Sequence, residues 1–205
     1  LMIRRPPRST HCISSAASDV YKRQHVKSVF LAHQQPLEEI EIIHCDTASL
    51  TSVNLLRVLL AERGLRPAFM PLPDYAQATA LENVLLIGNP GIDFLHAPHP
   101  HTIWDLGAAW QELTDLPFVY AAWALRRGHH DAALREYLRA TKTSGLEQLS
   151  KIIATHPDYD TAFRQAYLGG HIQYNLGKTE KAGLAKFVEL LKTHGDQDVY
   201  KPTFV

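Results

Sequence analysis

The chain has 205 residues, 45% hydrophobic and 20% charged, and its 21 Lys+Arg balance its 21 Asp+Glu to a formal net charge of zero. That is the composition of an ordinary globular protein, long enough for one large domain or two small lobes. The balance removes any bulk-charge argument for nucleic acid or a membrane surface, and the longest apolar run, Leu116 to Leu125, is too short to span a bilayer.

Residues 1–24 show no helical or strand period and carry five Lys/Arg against one Asp. An Arg-rich, Ser-rich, acid-poor stretch can be a transit peptide. This one instead resembles the conceptual translation of sequencing-adapter DNA, and 1–24 is read as a non-native disordered tail outside the fold. The reading frame is then expected to have been cut near His25, with the natural N-terminus missing. From there Val26–Leu31 reads as a short strand and Pro36–Ile40 as a helical turn. A strand over about Glu41–Cys45 leads through a hydroxyl-rich turn into a helix reaching about Arg63, with Gly64 as its C-cap. Ala68–Leu72 and Asn83–Gly88 are further strands, with a short helix over Tyr75–Glu82 between them. The Asn83–Gly88 run is nearly all apolar, as for a strand buried on both faces. Strands alternating with helices predict a parallel α/β sheet. Trp104–Trp110 opens another helix, Leu116–Trp123 reads as a strand, and from Asp131 onward the pattern is helical, ending in a helix over about Lys178–His194.

The turn Asp46-Thr47-Ala48-Ser49-Leu50-Thr51-Ser52 carries the most chemistry. One Ser or Thr suffices to cap a helix. Here Thr47, Ser49, Thr51 and Ser52 crowd one turn, with Asp46 at the strand end. Hydroxyls and unpaired helix N–H groups aimed at one place suit an anion such as a carboxylate. Ligands of open α/β sheets bind beyond the carboxyl ends of strands. Gly88-Asn89-Pro90-Gly91 is expected at the same edge, Gly88 permitting close backbone approach and Asn89 donating and accepting, although a plain β-turn explains it as well. His96, His99 and His101 fall in a Pro-bearing loop that reads as solvated rather than metal-binding, and no metal is expected. Trp104, Trp110 and Trp123 read as core. Cys12 and Cys45 form neither a disulfide framework nor a metal motif; Cys45 reads as a small buried apolar residue, and the pair fits a reducing compartment.

Four elements in order resemble the chorismate dehydratase family of the futalosine route to menaquinone. They are Asp46-x-x-Ser49-x-Thr51-Ser52 with Leu55-Leu56-Arg57-Val58-Leu59-Leu60; Leu85-Leu86-Ile87-Gly88; Asp105-Leu106-Gly107-x-x-Trp110; and Thr114-x-Leu116-Pro117-Phe118-Val119-Tyr120-Ala121-x-Trp123. The resemblance covers most of 26–205. It implies a two-lobed α/β fold like type II periplasmic binding proteins, with one lobe incomplete. The expected division is an α/β lobe over 41–113, with 25–40 and 114–205 as the remainder of the other, mostly helical lobe. It also implies a cytoplasmic hydro-lyase that removes water from chorismate to give 3-enolpyruvylbenzoate. No metal or organic cofactor is implied, and no nucleic-acid or membrane partner. Asp46, Ser49, Thr51, Ser52, Gly88 and Asn89 would bind this dicarboxylate, with Thr51 and Ser52 on a carboxylate. The catalytic base is not assigned.

This chain departs from the family at three points. Asn89 stands where Asp is usual after Ile-Gly, His33 stands where a Ser is usual, and a Tyr-Leu-Asn segment of the family's N-terminal portion is absent. The chain as it stands is therefore expected to be inactive. Two other readings share the features: 1,4-dihydroxy-6-naphthoate synthase of the same pathway, which uses a His base that the Gly88–Gly91 turn does not offer, and a non-catalytic solute-binding protein.

Overall fold

A computed structural model of the chain describes residues 28–125, 131–195 and 199–204. The 1–24 tail and Cys12 lie outside these residues. Five strands form one sheet: β1 Val29–His33, β2 Ile42–Cys45, β3 Ala68–Pro71, β4 Asn83–Ile87 and β5 Thr102–Asp105, in the order β3-β2-β4-β1-β5. The helices are α1 Leu50–Glu62, α2 Asn89–His96, α3 Leu106–Thr114, α4 Ala132–Glu147, α5 Leu149–Thr155, α6 Thr161–Ala166 and α7 Lys178–His194. Short 3-10 turns occupy Leu37–Glu39 and Tyr75–Ala80, and a π-helical turn occupies Tyr167–His171.

The α/β class is as expected, but the sheet is mixed rather than parallel. β2 runs parallel to β3 and β4, whereas β1 is antiparallel to both β4 and β5. Apolar periodicity specifies which residues face a core but not which way a strand runs. The expected boundary at residue 40 also cuts through this sheet: β1, from the 25–40 segment, sits between β4 and β5 rather than apart from the 41–113 unit. Its side chains alternate between two apolar clusters. Val29 and Leu31 join Ile43, Leu85, Leu55, Leu59, Trp110 and Phe187 on one face. Phe30 and Ala32 join Val84, Leu86 and Phe94 on the other.

Helix α1 is enclosed because its sequence is apolar nearly all round: Leu55, Leu56, Val58, Leu59, Leu60 and Ala61 are buried. It packs against α3 and α7, which share its face of the sheet. Each fully buried Leu contributes roughly 1.5–3 kcal/mol. The helix ends as expected at Gly64, whose φ of 76° lets Leu65 N–H donate back to the Leu60 carbonyl at 2.9 Å.

Three local readings are overturned. Gly88–Gly91 is not a β-turn but the start of α2, with Pro90 in its first turn, where a missing N–H costs nothing. The helix expected to open at Trp104 starts at Leu106, because Thr102–Asp105 pairs with β1 as the fifth strand. Leu116–Trp123 forms no strand. Its apolar side chains are instead spent on packing: Phe118 stacks edge-on against Trp110 at 5.3 Å and Phe187 at 4.8 Å, while Trp123 is 43% exposed rather than core.

The segment after residue 131 is helical as expected, but α4 buries none of its residues; Leu134 and Tyr137 of its apolar face are exposed. Order nearby comes from buried Arg164. Its guanidinium donates to the carbonyls of Ile153 and Asp158, at 2.6 and 3.2 Å, to that of Tyr159, and to Thr161 Oγ1 at 3.0 Å. Among the described residues no helix is long and apolar enough to cross a membrane.

Two predictions follow from this packing. A Cβ on Gly183 of α7 would lie 2.0 Å from the Pro117 carbonyl oxygen, a backbone atom that cannot swing away. Gly183→Ala is expected to lose about 3 kcal/mol in urea unfolding, by forcing α7 off the Pro117 segment; an unchanged midpoint would refute that packing. Cys45 is 2% exposed, and burial, offset partly by Arg57 and reinforced by Asp46, pushes its thiol up from 9.0 to about 12. In a Cys12→Ser background, Cys45 is expected to resist a thiol reagent at neutral pH until the protein unfolds. Because the folded pKa is the higher one, the thiol's contribution is complete below pH 9.0 and is lost as pH rises toward about 12. Cys45→Ala should flatten the alkaline fall in stability over that window.

Candidate functional site

Strands β2, β4 and β5 all point the same way, since β4 and β5 are each antiparallel to β1 and β2 is parallel to β4. Each is followed by a helix, α1, α2 and α3 in turn. Three helix N-termini therefore lie at the carboxyl edge of one sheet, with their unpaired N–H groups and positive dipole ends. This is the edge at which the sequence places its candidate residues.

In the hydroxyl turn, Ser49 is the N-cap of α1: its Oγ accepts from Ser52 N–H at 3.3 Å and lies 3.1 Å from Ser52 Oγ. Ser52 is 1% exposed, so its hydroxyl is spent beneath Ser49 rather than offered to solvent. Thr51 is half-buried and Thr47 is exposed. Leu50 and Thr51 are the first two helical residues, and their N–H groups have no helical carbonyl to donate to. Together they form a small donor set of the kind that takes one carboxylate oxygen pair.

Asp46 has a different role from the one expected of it. It is buried, and its Oδ1 accepts from Ala48 N–H at 2.8 Å and from Tyr75 Oη at 2.9 Å. The carboxylate thus folds the turn onto itself and ties it to the segment after β3. Burial first, then the hydrogen bond to Asp46 and its charge, raise the Tyr75 phenol above its ordinary value, so Tyr75 stays a donor. A carboxylate already held this way orients the turn; its charge opposes rather than attracts an anionic ligand.

Gly88 caps α2 from a left-handed backbone, φ 65°, ψ −142°, and its N–H donates to the Ser28 carbonyl at 2.7 Å. Among the described residues no side chain caps α2. Asn89 is its exposed first residue, so Gly88 and Asn89 stand at the same edge as the hydroxyl turn, one strand over. Gly91, buried, lets α2 approach β1: a Cβ there would meet the Phe30 ring at 3.2 Å.

Several polar residues at this edge were not singled out from the sequence. Asp105, an element of the family resemblance, caps α3 through Ala108 N–H at 2.8 Å. Ser28 hydrogen-bonds Tyr167 Oη at 2.8 Å across 139 residues, and Tyr120 Oη is buried nearby. An Asp three residues before a helical N–H is a readable capping signal; the Ser28–Tyr167 pair has no sequence signature at that separation.

The three histidines do not gather at one point: His99 and His101 lie side by side, 5.8 Å between ring centroids, and His96 is apart from both. His99 stacks on Phe94 at 4.6 Å and His101 meets the same ring edge-on at 5.3 Å, whereas His96 faces Tyr159 and Phe163. His101 is buried rather than solvated, tied to the Leu81 carbonyl at 2.6 Å. Two clefts, of about 290 and 480 Å³, lie around the C-terminal end of α1, one against α3 and the other against β3 and α7. They are at the opposite edge of the sheet and touch none of the candidate residues.

Comparison with known proteins agrees with the sequence resemblance. The family described as menaquinone biosynthesis matches residues 15–193, opening inside the 1–24 segment. Chorismate dehydratase of Thermus thermophilus is 32% identical over 190 residues, spanning 81% of this chain and 68% of that protein. A crystal structure of a protein from Archaeoglobus fulgidus superposes with a TM-score of 0.61 at 17% identity, over 92% of this chain and 73% of that one, which establishes a shared α/β fold. An ABC transporter chain from Parabacteroides distasonis superposes more loosely, with a TM-score of 0.48 at 16% identity, over 89% and 67% of the two chains, and adds nothing to the fold assignment. The chain belongs to the menaquinone biosynthesis family that includes chorismate dehydratase.

Proposed function

We propose that this chain binds chorismate at the carboxyl edge of its sheet and belongs to a cytoplasmic hydro-lyase that removes water from it to give 3-enolpyruvylbenzoate. The observation that carries the reading is the hydroxyl turn at the start of α1. Ser49 caps the helix through Ser52 N–H, Asp46 and Tyr75 hold the turn, and the N–H groups of Leu50 and Thr51, in the first turn, have no helical carbonyl to donate to, beside a Thr51 side chain that is only half-buried. One substrate carboxylate would sit on those groups, where the α1 dipole adds to its hydrogen bonds.

Elimination from chorismate creates an aromatic ring, so much of the driving force resides in the substrate. The protein's task is to orient the bound molecule and to favour removal of one proton. No metal or organic cofactor is needed for either. Gly88 and Asn89 would border the bound molecule from the α2 side, with Asn89 contributing a neutral amide where a carboxylate is usual in the family.

Thr51→Ala is expected to weaken chorismate binding, followed by calorimetry, by about tenfold or more, the worth of a hydrogen bond to a charged group. Its thermal unfolding should match the unsubstituted chain. Ser49→Ala is expected to cost about 1 kcal/mol of stability through loss of the cap. Equal chorismate affinity with and without the Thr51 hydroxyl would remove the turn from the site. Turnover is read from an aromatic product absorbing in the ultraviolet; binding without any product from a chain carrying the family's N-terminal segment would favour a solute-binding protein.

A further inference from the structure

Ser28, Tyr120 and Tyr167 stand at the same sheet edge as the hydroxyl turn, yet nothing in the reading above uses them. Ser28 is 4% exposed, and its Oγ lies 2.8 Å from Tyr167 Oη. Two hydroxyls joined by one hydrogen bond hold two protons and use only one between them, so the pair retains a donor. Tyr120 Oη is enclosed and makes no hydrogen bond among the described residues, while its ring packs edge-on against Phe118 at 4.7 Å. Burial, then the Asp105 charge and Tyr167, hold this phenol well above its ordinary value, so it carries its proton throughout the neutral range. An enclosed hydroxyl without a partner lowers stability and is uncommon unless another molecule completes it. Tyr167 is also the first residue of the π-helical turn, a local irregularity frequent at functional sites.

We propose that Tyr120 and the Ser28–Tyr167 pair form a second donor cluster that takes a neutral oxygen of the substrate, hydroxyl or ether, at the end remote from the carboxylate held by the hydroxyl turn. The proposal rests on the chorismate reading of that turn. Its dimensions fit. Ser28 precedes β1 and Asp46 follows β2, two steps apart in the sheet order β2-β4-β1, roughly 10 Å at the usual strand spacing. A six-membered ring bearing a carboxylate on one side and oxygens on the other bridges that gap with a hydrogen bond at each end. The nearby Asp105 carboxylate, which caps α3, makes a neutral acceptor oxygen a better fit than a second carboxylate. Tyr120 and Tyr167 are then specificity-determining residues, selecting a carboxylate ligand that also carries a hydroxyl or ether oxygen.

Tyr120→Phe and Tyr167→Phe are the test, with chorismate as ligand and thermal unfolding measured beside binding. Tyr120→Phe is expected to weaken chorismate binding about tenfold while the melting temperature stays level or rises, because it deletes an unpartnered buried hydroxyl. Tyr167→Phe is expected to weaken binding in the same direction. A lower melting temperature or failure to fold for Tyr120→Phe would give the hydroxyl a structural role and overturn the proposal. So would chorismate affinity equal to that of the unsubstituted chain. If the unsubstituted chain does not bind chorismate, the reading of the turn fails and this one with it. If Thr51→Ala weakens binding and the tyrosine variants do not, only the second cluster is lost.

Discussion

The rest of the molecule hangs on the pairing of β1 with two antiparallel neighbours. Its five residues match β4 from Val29↔Ile87 to His33↔Asn83, and four of them match β5 from Phe30↔Asp105 to His33↔Thr102. A strand paired on both edges satisfies its buried backbone groups, and alternation sends Val29 and Leu31 to one core and Phe30 and Ala32 to the other. Without β1 the sheet would split between β4 and β5, and each half would lose part of both apolar faces. The same strand brings Ser28 beside Gly88 and so completes the polar edge.

That edge has its character because three strands run in one direction and each is followed by a helix. The positive ends of α1, α2 and α3 are gathered on one side of the sheet, and their capping needs are met in three different ways. Ser49 caps α1 and Asp105 caps α3, whereas α2 starts from a left-handed glycine with no side-chain cap. The edge is accordingly rich in donors. Asp46 and Asp105, buried carboxylates at this edge, are each engaged by a backbone N–H group. Among the described residues at this edge, hydroxyls rather than cations predominate. The opposite edge is of another kind: its clefts are lined by Arg57, Arg63 and Arg66 with Glu62 and Glu112.

Much of this was legible in the residues. The apolar run Leu55–Leu60 with Gly64 behind it specified α1 and its end, because burial all round a helix and a glycine C-cap both leave strong local signals. The density of hydroxyls from Thr47 to Ser52 marked the turn. What local signals could not show was which of those hydroxyls are used internally. Ser52 looks the same as Thr51 in the sequence, yet one is buried beneath Ser49 and the other is only half-buried. Asp46 looked like a ligand residue and serves as a brace, because its partner Tyr75 comes from a segment 29 residues away. Leu116–Trp123 read as a strand because apolar, β-favouring residues are common to strands and to extended segments packed on helices.

The sequence by itself determined the α/β class, the family, the position of α1 and the hydroxyl-rich turn at its start, since each leaves its mark in short stretches of the chain. Tertiary structure decided the direction and central place of β1, the conversion of Gly88–Gly91 from turn to helix start, and the meeting of Ser28 with Tyr167. Those outcomes depend on which partners the rest of the chain supplies: a strand takes its direction from its neighbours, a helix start from the space above the sheet, and a hydroxyl pair from two segments 139 residues apart. Short-range pattern carries no information about any of these, because the physical interactions that choose between the alternatives exist only once the sheet has closed around β1.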